Sequence, residues 1–321
     1  MNTAVIGHLL AFGTMLVWGT TFISTKVLLI DFTPIEILFT RFFIGFFALL
    51  ILMPHLFGLK KLSHELTFAA AGFFGVTLYF LFENVALTYT QAANVGVIIG
   101  TVPFFTAIVD RLLGSKQKLH PSFFLGFVAA MAGIALISLS SLELQINPFG
   151  DFLAILASVT WAFYTLCVRK AGTYGYNTMQ VTRRVFMYGL FWMIPFMYLF
   201  HFELKFDAYL QPVNLFNLLF LGVGASAVCF FTWNFAVKVI GSVQAAPYLY
   251  ASPAVTVVAA VLILDEIITP RSFFGIVLTM LGLLISEWPH LKQILKKKGV
   301  QAAPAEQGAE PAVMPAKSAE R

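Results

Sequence analysis

Long apolar runs dominate this sequence and leave little room for a water-soluble fold. A transmembrane helix needs about 20 mostly apolar residues, and runs of that size recur along the whole chain. They occupy residues 5–28, 34–53, 66–88, 92–113, 121–140, 149–170, 178–200, 213–237, 243–264 and 271–288. The sequence therefore predicts an all-α membrane protein with ten transmembrane helices.

The composition agrees with a lipid environment. Of the 321 residues, 59% are hydrophobic and 11% are charged, whereas a soluble domain carries roughly 25% charged residues. The mean hydropathy is +0.86. The formal net charge is +5, and the basic residues lie between the apolar runs and in the tail rather than on one face. We therefore expect contact with membrane lipid and no nucleic-acid partner.

Several kinds of chemistry find no support in the sequence. Cys167 and Cys229 lie inside apolar runs, where reduced thiols are expected rather than a disulfide. CxxC, HExxH and clustered His/Cys patterns are absent, so we predict no metal and no cofactor. The first apolar run follows no basic region and lacks a cleavage site, so we predict a retained helix rather than a signal peptide.

The basic residues between the spans predict the orientation. Membrane proteins keep an excess of Lys and Arg on the cytoplasmic side. With a cytoplasmic N-terminus, the outer connections hold little beyond Lys26, Lys205 and Arg271. The inner connections hold Lys60, Lys61, Arg111, Lys116, Lys118, Arg169, Lys170, Lys238, Lys292, Lys296, Lys297 and Lys298. We expect both termini in the cytoplasm of a bacterial cell, with the protein in the cytoplasmic (inner) membrane.

The chain also contains an internal repeat. An offset of 143 residues carries Trp18 onto Trp161, and the same offset relates Lys26 to Arg169, Arg41 to Arg184 and Phe43 to Phe186. An offset of 150 relates Asn84 to Asn234, Ala86 to Ala236 and Pro103 to Pro253, and an offset of 149 relates Gly133 to Gly282. Five helices is an odd number, so the second copy enters the membrane from the opposite side.

This repeat predicts two inverted five-helix units, residues 1–142 and 143–290, followed by a basic and then disordered cytoplasmic tail, 291–321. Inverted repeats of this kind recur in secondary transporters, because two similar halves can move around one central site. No GxxxxGK[ST] sequence is present, which argues against direct use of ATP.

The motifs resemble a known transporter family. The run Leu78-Tyr79-Phe80, the run 86–90, Pro103, Gly126 and Gly133 are similar to the EamA-like unit of the drug/metabolite transporter superfamily. The second copy shows the run 233–236, Pro253, the run 264–266, Gly275 and Gly282. The resemblance covers residues 5–288. It implies transport of small organic solutes and two EamA-like units. Glu83 departs from the family pattern, in which an uncharged residue is common here.

Polar residues within the spans are the candidate site residues, because charges at the centre of a helix in lipid cost roughly 2.5–3.5 kcal/mol. Arg41 and Glu83 lie at similar depths, and we predict that they pair, either as a gate and proton-coupling pair or as a static structural pair. Arg184 mirrors Arg41 as a further gating candidate. The predicted substrate cavity is lined by Trp18, Tyr79, Glu83, Asn84, Asn94, Trp161, Trp233, Asn234, Tyr248 and Tyr250.

Alternatives stay open for most of these residues. Each aromatic side chain suits core packing as well as ligand contact, and each asparagine suits an interhelical hydrogen bond as well as a site. Pro103 and Pro253 are predicted inside helices, as hinges or as fixed kinks. Gly126, Gly133, Gly275 and Gly282 predict close packing of the fifth and tenth spans, at the periphery or at a dimer contact. Asp151 and Glu266 are predicted to lie at solvated helix ends.

The resulting functional hypothesis is an exporter or facilitator of amino acids, other metabolites or drugs that works by alternating access. A proton or a solute counter-ion would drive it, and the protein would be a monomer or a homodimer. The alternatives are a membrane-embedded channel, which would need a pore-lining ring, and a membrane-embedded enzyme, which would need paired catalytic groups that no motif supplies. We predict that the protein is not an enzyme.

Overall fold

The computed structural model describes residues 3–54, 58, 61–113, 120–143, 147–240 and 245–301, and every regular element in these ranges is helical. Predictions for Lys60, Lys116, Lys118, residues 243–244 and the tail beyond 301 lie outside the described residues. We label the long helices α1 (Thr3–Leu28), α2 (Pro34–Leu52), α3 (Leu62–Tyr89), α4 (Ala92–Leu112), α5 (Pro121–Glu143), α6 (Phe149–Gly172), α7 (Thr178–Leu199), α8 (212–240), α9 (246–264) and α10 (Pro270–Gln301).

Seven of the described helices are long and apolar enough to cross a membrane, namely α1 to α6 and α8. Helices α9 and α10 contain shorter apolar stretches, Tyr248–Leu264 and Pro270–Ser286. Helix α7 is less apolar in its first turns, which carry Arg183 and Arg184. Helix α10 reaches Gln301, so the basic run 296–298 lies on a helix.

The starts of α2 and α7 show why these helices begin where they do. Thr33 precedes Pro34 at the start of α2, and the Glu36 carboxylate accepts the Thr33 N–H at 2.8 Å. This bond is one half of a capping box and satisfies a backbone donor at the start of the helix. Asn177 caps α7 by accepting the N–H of Met179 at 2.9 Å. The two copies thus start their second helix with different cap residues at similar positions.

Helices α3 and α8 each contain a π-helical segment at the same place in the repeat. The segments are Gly72–Leu78 and Phe220–Val228. In each, a hydroxyl donates to the carbonyl five residues earlier, Thr77 to Gly72 at 3.4 Å and Ser226 to Leu221 at 2.8 Å. Such segments are rare and occur often at functional sites. They point to the middle of α3 and α8 as the place to look for a site.

The two halves of the chain contact each other through mirrored helix pairs. Helix α2 packs on the π segment of α8, and α7 packs on the π segment of α3. Glycines make both approaches close: a Cβ at Gly45 would lie 3.2 Å from the Gly222 carbonyl oxygen, and one at Gly72 would lie 2.7 Å from the Gly189 nitrogen. Likewise, α1 packs on α8 and α9, while α6 packs on α3 and α4.

Helices α5 and α10 form the closest helix pair, and their glycines face each other. A Cβ at Gly126 would lie 2.4 Å from the Gly282 carbonyl oxygen, and one at Gly275 would lie 2.7 Å from the Gly133 carbonyl oxygen. The predicted close packing of these helices is therefore present. The opposite faces of both helices carry exposed apolar side chains such as Phe124 and Phe274, and a dimer contact there stays a prediction.

Candidate functional site

Two tryptophans at equivalent repeat positions each reach across to the other half. The Trp18 indole N–H donates to the carbonyl of Ala225 at 3.0 Å, within the π segment of α8. Its ring lies 5.8 Å from Trp233, centroid to centroid. Trp161 lies 4.5 Å from Tyr79 on α3. Each tryptophan thus contacts the third helix of the opposite half.

A layer of four phenylalanines connects these two aromatic groups. Phe42 lies 4.8 Å from Phe80 and 4.9 Å from Phe186, and Phe186 lies 5.7 Å from Phe230, all measured between ring centroids. Phe42 and Phe186 are almost fully buried and come from α2 and α7, the second helix of each half. We call these four residues the phenylalanine layer. It places the predicted aromatic residues around the contact between the two halves.

Arg41 and Glu83 are both buried, with 5% and 1% of their surface exposed, but the predicted ion pair is not formed. Among the described residues, no nitrogen of Arg41 lies within 4.0 Å of a Glu83 oxygen. The Arg41 Nε–H donates to Ser226 Oγ at 3.1 Å instead, and its guanidinium lies 4.4 Å above the Phe80 ring. Glu83 lies near enough to Arg41 for their charges to interact, and Tyr79 precedes Glu83 by one turn on the same face of α3. Ser226 carries no charge to mark it in the sequence, so its role was missed.

The two repeat-related asparagines link neighbouring helices. The Asn84 amide donates to the Pro34 carbonyl at the start of α2, at 3.1 Å. Asn234 directs its amide towards Met179 Sδ at the start of α7, at 3.9 Å. Of the two alternatives open for Asn84, the structure shows the interhelical hydrogen bond. Asn234 is half-buried, and both of its alternatives stay open.

Arg184 has a different environment from its counterpart Arg41. It forms an ion pair with Glu65 on α3, with N···O distances of 3.0 and 3.1 Å, and Tyr188 donates to the same carboxylate at 2.5 Å. A fork-shaped guanidinium bound to both carboxylate oxygens is a strong and directional contact. Glu65 was not among the predicted site residues, although it was the nearest acidic residue along the first turns of α3.

Asp151 is buried rather than solvated, which corrects the prediction for the start of α6. Only 1% of its surface is exposed. Thr90 donates to its carboxylate at 2.8 Å, and the Asn94 amide donates to the Thr90 hydroxyl at 3.1 Å. A buried carboxylate needs such donors. The three side chains join α6 to the α3–α4 connection, so Asn94 belongs to this network rather than to the aromatic groups around the phenylalanine layer.

Glu266 is half-buried just after the end of α9, and its carboxylate also caps a neighbouring helix. Its carboxylate accepts the N–H groups of Ala92 and Ala93 at the start of α4, at 2.6 and 3.0 Å. Lys26 donates to the carbonyls of Leu87 and Thr90 at the end of α3, at 2.5 and 2.7 Å. We call Lys26 and Glu266 the outer clasp, because they lie at the end of the helices that the loop charges predict to face outward. Charges of these signs suit these helix ends, and the clasp borders a cavity of about 430 Å³.

Tyr248 and Tyr250 lie near the opposite end of the helices and diverge. Tyr248 shares a hydrogen bond of 3.0 Å with His8 on α1 and packs near Trp233. Tyr250 packs against Phe104 and the α5–α10 pair instead. Tyr248 therefore stays with the aromatic residues of α1 and α8, whereas Tyr250 belongs to a separate apolar cluster.

The two prolines lie at the beginnings of helical segments rather than in helix interiors. Pro103 is the second residue of the segment Val102–Leu112, after a break at Gly100 and Thr101, and Pro253 is the third residue of Ala251–Leu264. A missing N–H costs little in a first turn. A Cβ at Gly100 would lie 2.6 Å from Pro253 Cγ, so α4 bends where it crosses α9.

Apolar helices of membrane-spanning length, with charged side chains buried among them, define an integral membrane protein. The sequence profile of the EamA-like transporter family matches residues 5–139 and matches again at residues 148–288. The chain belongs to this family, whose members are transporters rather than enzymes.

Relatives and a solved structure agree with this assignment. An uncharacterized transporter of Archaeoglobus fulgidus is 30% identical over 287 residues, which cover 87% of this chain and 96% of the relative. An Escherichia coli protein named "probable amino-acid metabolite efflux pump" is 24% identical over 292 residues, covering 86% and 93%. A crystal structure with 18% identity superposes with a TM-score of 0.59 over 89% of this chain and 98% of its own, which indicates a shared fold.

Proposed function

We propose that this protein is a secondary transporter that moves small organic solutes by alternating access between two inverted five-helix halves. The observation that supports this proposal most directly is the mirrored contact between the halves. Gly45 and Gly222 bring α2 against α8 in the same way that Gly189 and Gly72 bring α7 against α3. Two such interfaces at equivalent positions allow the halves to exchange arrangements by rocking, which a repeat of this kind makes possible.

Ten transmembrane spans follow from the same symmetry. Helices α7, α9 and α10 are the partners of α2, α4 and α5, which are all long and apolar enough to span. Together with the excess of basic residues in the inner connections, this supports two inverted units with both termini in the cytoplasm of a bacterial cell. The pairing of α5 with α10 then lies on the pseudo-two-fold axis that relates the units.

The packing supports an arrangement closed on the outer side. There, the outer clasp and the buried Asp151–Thr90–Asn94 network join α1, α6 and α9 to the α3–α4 connection. The inner halves of α4 and α8 pack on different helices. Val102–Leu112 of α4 packs on α6, whereas Cys229–Ile240 of α8 packs on α1. An inner opening between these groups would give a solute access to the phenylalanine layer from the cytoplasm.

The site suits solutes that combine an apolar body with a few polar groups. Trp18, Trp161, Trp233 and Tyr79 supply aromatic surface, and Asn234 supplies a half-buried amide. Amino acids fit this description, and one relative carries the name of an amino-acid metabolite efflux pump. We therefore propose export as the direction of transport, with a proton or a counter-solute as the driving species.

Solute counterflow tests this proposal. The purified chain is reconstituted into liposomes loaded with one unlabelled solute, and uptake of a trace of the same labelled solute is followed across a panel of amino acids and other metabolites. A transporter gives a transient accumulation above equilibrium, because exchange on a single site retains the label. Protein-free liposomes are the control. A channel gives equilibration without accumulation, and that result, or no uptake across the panel, contradicts the proposal.

A further inference from the structure

The buried Arg41 and Glu83 each keep an atom that no protein group satisfies. Arg41 Nη1 and Glu83 Oε1 are both inaccessible and have no hydrogen-bond partner in the described structure. Buried charges ordinarily pair or gain full hydrogen bonding, because an unsatisfied charged group is costly. These two residues interact electrostatically yet do not pair. A hydrogen-bond donor on the cationic Arg41 and a hydrogen-bond acceptor on the anionic Glu83 are therefore both left unsatisfied by the protein.

Neighbouring side chains hold both groups in place without using the available atoms. Ser226 accepts from Arg41 Nε, and the Phe80 ring lies 4.4 Å from the guanidinium carbon. Tyr79 lies one turn before Glu83 on the same face of α3, and both side chains are buried. A charged group whose rotamer is fixed by its neighbours loses little entropy when a ligand arrives. This is what a recognition site requires, and a purely structural ion pair does not require it.

The chemistry of the two free atoms defines the ligand. A guanidinium N–H pairs with a carboxylate oxygen, and a carboxylate oxygen accepts a hydrogen bond from an ammonium group. The aromatic residues Phe80 and Trp161 lie beside Tyr79 and offer apolar contact for the rest of the molecule. We propose that Arg41 and Glu83 bind the two charged groups of a small zwitterionic solute, Arg41 the carboxylate and Glu83 the ammonium. This inference deepens the proposed transport function and rests on it.

Ligand-induced thermal stabilisation of the purified full-length protein tests the proposal without requiring transport. The probes are alanine, leucine and phenylalanine, each compared with the amine that lacks the carboxylate and the acid that lacks the ammonium. At least one zwitterion should bind at least tenfold more tightly than both of its matched probes. If no zwitterion exceeds its own amine and acid, the proposal is overturned.

Two variants separate the roles of the charges. Arg41→Gln should bring zwitterion and amine to equal affinity, and Glu83→Gln should bring zwitterion and acid to equal affinity. Arg41→Met and Glu83→Met, which also remove the charges, replace these variants if the first pair fails to fold. Arg169→Gln is the matched control, because Arg169 is exposed and pairs with Asp110, and it should keep the wild-type preference. Unchanged preference in folded Arg41 and Glu83 variants also overturns the proposal.

The binding proposal and the transport proposal can fail separately, and the two assays tell these failures apart. Zwitterion preference in the binding assay without counterflow of any solute would leave the binding site standing and contradict the transporter. Counterflow of solutes with no preference for zwitterions would leave the transporter standing and contradict the assignment of Arg41 and Glu83.

Discussion

At the scale of single residues, the same residue type serves two purposes in the two halves. Arg41 and Arg184 are related by the repeat, yet Arg184 is fully paired with Glu65 while Arg41 is held by a neutral serine. The offset between the copies predicted their equivalence but not this difference. A repeat preserves the backbone, whereas the partner of each side chain depends on a residue from another helix. The sequence pattern does not reveal that partner.

The Arg184–Glu65 pair should contribute mainly to stability. Glu65→Gln leaves a partly buried guanidinium without its counter-charge, and removal of one partner of a buried pair costs about 3–5 kcal/mol. With 21% of the Arg184 side chain exposed, we expect a loss near the lower end. Thermal unfolding of the purified protein measures it. The double variant with Arg184→Gln should recover part of the loss, and a double variant no better than the single one would refute the pairing.

At the scale of helices, spans were easier to predict than their ends and interruptions. Runs of apolar residues place α1 to α6 within a few residues, because lipid demands a long apolar helix. The π segments of α3 and α8 were not predicted, since Gly and Thr or Ser in an apolar run are also compatible with an ordinary α-helix. Asp151 was misplaced because its position at a helix start suggested solvent, whereas the side chain is buried and bound by Thr90 of the α3–α4 connection.

Glycine packing between α5 and α10 gives a prediction at this scale. In Gly133→Ala, the new Cβ would lie 2.3 Å from Thr279 Oγ1 and 2.5 Å from the Gly275 carbonyl oxygen, so the helices must separate. Overpacking of this kind costs about 1–3 kcal/mol, and the thermal midpoint should fall. Gly13→Ala in α1 is the matched control, because nothing lies within 4 Å of its new Cβ. Equal midpoints for the two variants would argue against close packing of α5 on α10.

At the scale of the whole molecule, the account rests on two halves that enclose one site and open it to one side at a time. The repeat offset, the family profile and the mirrored glycines all describe the same duplication. Trp18 and Trp161 occupy equivalent positions in the repeat, and in the structure they lie in two separate aromatic groups that the phenylalanine layer connects. The sequence pattern did not predict the outer clasp, whose Lys26 and Glu266 bind backbone groups that carry no side-chain signal.

Sided labelling of one central cysteine tests this account most directly. Trp161→Cys is placed in a chain with Cys167→Ser and Cys229→Ser, and a membrane-impermeant maleimide is applied from the cytoplasmic or the outer side. Glu266→Ala removes the clasp on Ala92 and Ala93, while Asp265→Asn is the control, since asparagine tolerates the left-handed backbone found there, with φ of 51°. We predict cytoplasmic labelling in the parent and the control. In Glu266→Ala, outer labelling should rise while cytoplasmic labelling falls. A rise from the outer side with undiminished cytoplasmic labelling would show a continuous pore and contradict alternating access.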